Sequence, residues 1–408
     1  MTRLIFSVFF ILLLITPLLS AQQTLQDLTL SSAITKGFIP SPIVVTNDFK
    51  NEWLVAWNQS GKVKGRIVKP DGQLSSIKTL VKGRVLDAVY DPIHHTYLIL
   101  YNSRSYVRAQ LLSGSLKKKG DVISFSSPPP VMAQLIFDPV AGKFLVFWIE
   151  YTGQDPDGHY LTAIKSGSLG VTGKAFSEIV TVLDGGSHVE YQQLRVARNP
   201  ENGNLFLLVD QLAKGVASIF GYTLKSDRTF LRTKPVRFAG NSVPPTNSFS
   251  VPDAEFADNG TGIATWKVED LNGISPTKIK IRQLTSKGTF NSKSKTIAED
   301  VSQPRIVLDR GQNAFLVLWY ENLVFGGAHS VSAVLLDAIT ANVLKGPFTV
   351  AKPEPLFGYV KGLAGAYERS SGRILIVWSI YCLDVISNSC PGSVYVSGQV
   401  SGAIFSSQ

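Results

Sequence analysis

Little in this chain of 408 residues offers reactive chemistry. It holds two cysteines, five histidines and two methionines, and only 17% of its residues are charged. No G-x-S-x-G, H-E-x-x-H, Walker A, C-x-x-C or complete G-x-G-x-x-G sequence occurs. Serine-nucleophile, zinc-protease and nucleotide-binding chemistry therefore have no motif to rest on. Cys382 and Cys390 lie eight residues apart. Without further ligands or a C-x-x-C spacing, they suggest one disulfide of an exported protein and neither a metal nor a redox site. No cofactor is implied. Asp155-Pro-Asp157-Gly158 is only a fragment of a calcium loop.

Long apolar runs are also missing, except at the start. Residues 1–23 carry one basic residue (Arg3), an apolar stretch from Leu4 to Ile15 broken only by Ser7, then Pro17 and the small residues Ser20 and Ala21. This pattern predicts a signal peptide over residues 1–21, cleaved near Ala21, and a secreted, extracellular mature chain of residues 22–408 forming a single domain. The alternative is an uncleaved anchor, but the run falls short of the ~20 residues a membrane-spanning helix needs. Nothing downstream could span a bilayer. Asn58-Gln-Ser60 and Asn259-Gly-Thr261 are glycosylation sequons in a eukaryotic host.

What the chain does have is repetition. EWLVAW, TYLILY, KFLVFW, NLFLLV, TGIATW, AFLVLW and RILIVW end at residues 57, 101, 148, 209, 266, 319 and 378, at spacings of 44 to 61 residues. One supersecondary unit recurring at about fifty residues is the signature of a propeller or solenoid. Each unit holds four strand candidates, A to D. In the third unit these are residues 132–138, 143–150, 159–165 and 176–183. Strand B is apolar without alternation, which means burial on both faces. Trp57, Trp148, Trp266, Trp319 and Trp378 are then packing residues between units, with sugar stacking as the rival reading. The A–B turns are rich in Asp, Asn, Pro and Gly, and three begin with Asp-Pro or Asn-Pro, so the recurring Asp91, Asp138 and Asp309 read as turn-formers rather than as a catalytic or calcium series.

The last unit lacks a fourth strand. Its strands are expected near 360–367, 373–381 and 393–400, with SGAIFSSQ left as a C–D turn, while residues 24–34 have strand character and no partner. The N-terminal segment is expected to supply the missing strand and close the ring. The fold is therefore all-β, a seven-bladed β-propeller of four-stranded antiparallel blades. The chain resembles secreted seven-bladed propellers whose repeats end strand B with L-V-x-W. The resemblance covers nearly all the mature chain and implies blade construction, not activity.

Candidate site residues come from what breaks the repeat. The B–C loops carry acids and aromatics: Glu150 and Tyr151, Asp155 and Asp157, Asp210, Glu269 and Asp270, Tyr320 and Glu321, and Asp384. Tyr160, Tyr191, Phe325 and Tyr381, with His159, His188 and His329, lie nearby. Carboxylates accept hydroxyl hydrogen bonds and rings cover sugar C–H faces, so the ligand-binding set is Glu150, Tyr151, Asp210, Glu269, Tyr320 and Glu321. The three histidines would ligate a metal only if the fold brought them together. The opposite C–D turns are rich in lysine and arginine (LKKKGD, KSDRTFLRTK, TSKGTFNSKSK), within a net charge of +10. That face could meet an anionic surface; nucleic acid has no recognition module here.

Aligned four residues before the end of strand A, Asp87, Gln134, Arg195 and Arg305 are polar positions in apolar strands, with Ala254 and Ala364 elsewhere. They are expected to line the central channel. Two functions fit this pattern: a recognition protein for a glycan or an extracellular protein, or a glycoside hydrolase or lyase using paired carboxylates on the same face. The sialidase S-x-D-x-G-x-T-W box is absent.

Overall fold

The computed structural model describes residues 26–31, 42–103, 106–126, 132–156, 158, 160–173, 176–177, 179–232, 234–240, 247–321, 330–352, 358–382 and 397–406. They form seven four-stranded antiparallel sheets. Blade 1 runs through Ile43–Asn47, Glu52–Gln59, Lys62–Val68 and Lys78–Lys82 as strands A to D. Blade 2 comprises Arg84–Asp91, Thr96–Ser103, Tyr106–Ser113 and Lys118–Ser126. Blade 3 comprises Met132–Asp138, Lys143–Gln154, Tyr160–Gly170 and Val180–Asp184. Blade 4 uses Val189–Arg198, Leu205–Ala213, Val216–Leu224 and Val236–Gly240. Blade 5 uses Asn247–Phe256, Gly262–Asp270, Lys278–Leu284 and Lys295–Glu299. Blade 6 holds Val301–Asp309, Ala314–Glu321, Val331–Asp337 and Val343–Ala351. Blade 7 combines Gly358–Glu368, Arg373–Cys382 and Ser397–Ser406 with Gln26–Thr29 from the other end of the chain.

The A strands neighbour one another around the ring. Each strand B is sandwiched between two other blades, which is why its residues need no alternation. Its odd and even positions fill two different interblade cores. Phe144, Val146 and Trp148 of blade 3 pack with Leu98 and Leu100 of blade 2, whereas Leu145, Phe147 and Ile149 pack with Leu205, Leu207 and Val209 of blade 4. The five repeat tryptophans are all buried, Trp378 at 3% being the most exposed. They are core, not platforms for a sugar.

The A–B turns follow from side-chain capping. Asp91 Oδ1 accepts hydrogen bonds from the Ile93 and His94 amides at 2.8 and 3.1 Å, and Asp138 Oδ1 from Val140 and Ala141 at 3.0 and 3.3 Å. Asp309 does the same for Gly311 and Gln312 at 3.0 and 3.2 Å. The three carboxylates are fully buried, which commits them to the turn.

Ring closure joins the chain's two ends. Gln26–Thr29 pairs antiparallel with Ser401–Ile404, and the Leu30 amide donates to the Val400 carbonyl at 2.9 Å. Leu28 and Leu30 enter the core between blades 7 and 1 with Trp53, Trp57 and Leu375. Trp53 Nε1 donates to the Ala366 carbonyl at 3.0 Å across the same joint.

Three local expectations need correction. SGAIFSSQ is not a C–D turn: its first six residues belong to strand C of blade 7, with Ala403 and Phe405 buried. Gly402 sits where an added Cβ would lie 3.0 Å from the Ile376 carbonyl oxygen, so a glycine that reads as a turn signal is there for close strand approach. In blade 3, strand C extends to Gly170 and strand D starts at Val180, leaving Phe176 with a lone bridge to Leu169. In blade 5 the cap position is Ala257, whose amide donates to the Thr261 carbonyl at 2.8 Å. That turn is one residue shorter than those of blades 2 and 3, so the residue equivalent to Asp87 is Asp253, not Ala254.

Candidate functional site

With that register, one position from every blade lines a central cavity of about 400 Å³: Ile43, Asp87, Gln134, Arg195, Asp253, Arg305 and Ala364. The polar members are largely engaged with the next blade. Asp87 Oδ2 accepts from the Leu135 amide at 2.7 Å, Gln134 Oε1 from Val196 at 2.7 Å, and Asp253 Oδ2 from Ile306 at 2.9 Å. In each case the donor follows the equivalent residue of the following blade. Arg195 cannot accept a hydrogen bond, and its Nε instead pairs with Asp253 Oδ1 at 3.2 Å. These side chains act as clips between blades, satisfying amides on the free inner edge of the neighbouring A strand. The register breaks next to Asp87, Asp253 and Arg305.

Depth in the channel costs these groups charge. Burial pushes the Asp87 carboxyl up to about 6, against the pull of its amide donors and Arg195. Glu255, also on the channel, is raised to about 7 by burial, with Asp253 adding to it. Arg305 is lowered to about 10 by burial and then by Arg195.

The six loop-face candidates stay on their separate blades. Glu150 forms an ion pair with Lys165 of its own blade, and Glu269 with Lys267 at 2.7 Å. Glu321 accepts hydrogen bonds from the Ser330 and Ser332 hydroxyls. Tyr320 is 3% exposed, in the core between blades 6 and 7. Only Tyr151 faces solvent beside another ring, meeting Tyr160 edge-on with centroids 5.6 Å apart. Asp157, His159, Phe325, His329, Asp384 and Cys390 lie outside the described residues, as do residues 1–21, where a signal peptide is expected. Cys382 ends strand B of blade 7. Among the described residues no group of three or more His, Cys, Asp or Glu is placed to hold a metal ion.

The groups that do converge lie between blades 3 and 4. Asp155, Tyr160 and Leu161 from the B–C segment of blade 3 meet His188 and Glu190 from the entry to blade 4, with Leu212, Lys214 and Gly215 of its B–C hairpin opposite. The cleft encloses about 230 Å³. It offers two carboxylates, an imidazole and an ammonium around an exposed tyrosine. Asp155, Tyr160 and His188 stand out in the sequence, but Glu190 and Lys214 do not, because neither sits on a repeat-breaking long loop.

Asp210 lies close enough to Glu190 to feel its charge, yet it is 1% exposed and neither carboxylate oxygen has a hydrogen-bond partner. Burial raises it to about 7, with Glu190 as the smaller cause. It does not line the cleft. A group so placed shapes the field beneath a site but cannot touch what fills it.

No protein-family model matches the chain, and no curated protein does. Solved structures do match. A protein of unknown function from Dyadobacter fermentans aligns with a TM-score of 0.50 at 11% identity, covering 92% of this chain and 98% of that one. Hydrazine synthase from Kuenenia stuttgartiensis aligns at 0.55 and 10% identity, covering 84% and 93%. The polysaccharide lyase Uly1 aligns at 0.53 and 9% identity, covering 93% and 100%. At such identities the likeness establishes fold alone, and the three proteins share no common chemistry by name. The chain is a seven-bladed β-propeller whose chemistry has to be read from its own residues.

Proposed function

We propose that this chain is a secreted recognition protein that binds a glycan in the cleft between blades 3 and 4. The convergence of Asp155, Tyr160, His188, Glu190 and Lys214 carries this reading. Carboxylates accept sugar hydroxyl hydrogens, the ammonium and imidazole donate to ring or hydroxyl oxygens, and the 55%-exposed Tyr160 ring covers an apolar sugar face. Leu161 and Leu212 complete an apolar wall. The volume suits about one sugar ring, which fits recognition of a chain end or a single residue better than a long groove.

Two carboxylates lining one cleft favour a second reading, a glycoside hydrolase or lyase. Against it, the carboxyl nearest the cleft that burial holds protonated near neutral pH is Asp210, which is sealed off from it. A glycan array on the purified chain, with a product assay on each hit, separates the two. Binding without product, lost in Tyr160→Ala and Glu190→Gln, supports recognition. Turnover that Glu190→Gln abolishes while binding persists supports the enzyme. An array with no hit moves the cleft's ligand to an extracellular protein.

A further inference from the structure

The opposite face of the ring, formed by the A–B and C–D turns, carries a feature that the turn chemistry does not require. Two residues beyond the cap of each A–B turn stand Phe49, Ile93 and Val140 in blades 1 to 3, and they are 61%, 51% and 84% exposed. The same position holds Glu201, Asn259, Gly311 and Ser370 in blades 4 to 7. Those four turns form with polar or small residues there, so the fold does not demand an apolar tip. Isolated exposed apolar residues are ordinary on a protein surface. Three at one structural position on three consecutive blades are not scattered.

The turns of blades 1 and 2 meet in one surface. The Phe49 ring of blade 1 stacks on His95 of blade 2 with centroids 3.6 Å apart. A Cβ added at Gly114, in the C–D turn of blade 2, would lie 3.4 Å from Lys50 Nζ, so the inner and outer turns meet. Exposed Lys50, Lys69, Lys117, Lys118 and Lys119 surround this sector. Asp48, Asp71 and Asp121 are the exposed acids beside them, so five cations face three anions. The aromatic and aliphatic tips thus project beside a cluster of exposed lysines.

We propose that the A–B turn face of blades 1 to 3 docks on an anionic phospholipid bilayer, with Phe49, Ile93 and Val140 entering the interface and the surrounding lysines meeting the headgroups. A polyanion alone would account for the lysines. The apolar tips call for a partner with an apolar layer just below its charge, and a bilayer supplies both. This surface is independent of the glycan cleft, which lies on the other side of the ring.

Co-sedimentation of the full chain with phosphatidylcholine vesicles containing about a third phosphatidylserine tests it. The native chain should bind these vesicles and bind pure phosphatidylcholine far more weakly. The triple variant Phe49→Ser, Ile93→Ser, Val140→Ser should lose about tenfold or more in partitioning with its melting temperature unchanged, since it removes exposed side chains. Each of Lys117→Glu and Lys119→Glu should cost roughly fivefold or more. Leu271→Ser with Ile274→Ser, which removes residues 56% and 85% exposed on the other face, should leave binding as it was. Failure of the native chain to bind vesicles overturns the proposal. So does equal binding by the tip variant and the control, or capture by a sulfated polysaccharide without any vesicle binding.

Discussion

Asp210→Asn is the substitution whose effect the structure specifies most closely. The native carboxyl is 1% exposed, lacks a partner on both oxygens, and is raised by burial from an ordinary 3.8 to about 7. A raised acid binds its proton more tightly folded than unfolded. It therefore weakens folding as pH climbs from 3.8 towards 7, and the whole penalty stands above 7. At ~1.4 kcal/mol per pH unit, the gap of about three units amounts to ~4 kcal/mol. The asparagine is nearly isosteric and does not titrate. The difference in stability between variant and native chain should grow by ~3 kcal/mol from pH 5 to pH 8, in favour of the variant. With an unfolding entropy of ~2 cal/mol/K per residue over the folded chain, that is a gap in Tm widening by ~4 °C. Thermal melts of both proteins across that range measure it directly. Taking the difference cancels Asp87 and Glu255, which are raised too and titrate alike in both proteins. A gap that stays flat with pH would refute the account of Asp210 as a buried, unpaired carboxyl.

Three further outcomes follow from the same packing. Leu30→Ala empties a fully buried position in the closing joint and should cost ~2–5 kcal/mol in denaturant melts; an unchanged midpoint would mean the ring does not depend on its closing strand. Asp253→Ala strands both the Ile306 amide and the Arg195 guanidinium, for a loss of ~3–5 kcal/mol, whereas Asp253→Asn keeps an acceptor for the amide and should lose clearly less. Asp138→Ala removes the acceptor of two turn amides and should cost ~1–3 kcal/mol, with hydrogen exchange rising at Val140 and Ala141 and nowhere else in blade 3.

The architecture was legible because burial on both faces forces strand B into unbroken apolar runs such as FLVFW and FLVLW, and a ring repeats that demand seven times. Closure was legible too, since an unpaired strand at one end matched a missing one at the other. Boundaries were less so. Gly402 reads as a turn, yet it lies in a strand where backbones approach closely. The channel register slipped in blade 5 because Asp258 looks like the capping residue, while the shortened turn moves that position to Ala257. The cleft was half visible: Asp155, Tyr160 and His188 stood out as repeat-breakers, but Glu190 reaches them only through the way strand A of blade 4 enters the ring. Acids chosen for their place after strand B proved to be held by neighbours, as Glu150 is by Lys165 and Glu321 by two serines. A list of residues carries no information about such local pairing.

The joint in blade 7 also sets an order of events. Ser31 Oγ accepts from the Val400 amide, a contact across 369 residues, so Gln26–Thr29 waits for Ser397–Ser406 before it can pair. Closing so long a loop costs only slightly more entropy than closing half of it, because the penalty grows with the logarithm of length. Thermodynamics is therefore indifferent to the arrangement, but kinetics is not. Throughout synthesis, Gln26–Thr29 remains an unpaired strand, and the growing stack of blades ends in an open sheet. Nascent chains crowded together would find each other's edges as readily as their own. The pairing of these four residues is the step that removes the last open edge of blade 7.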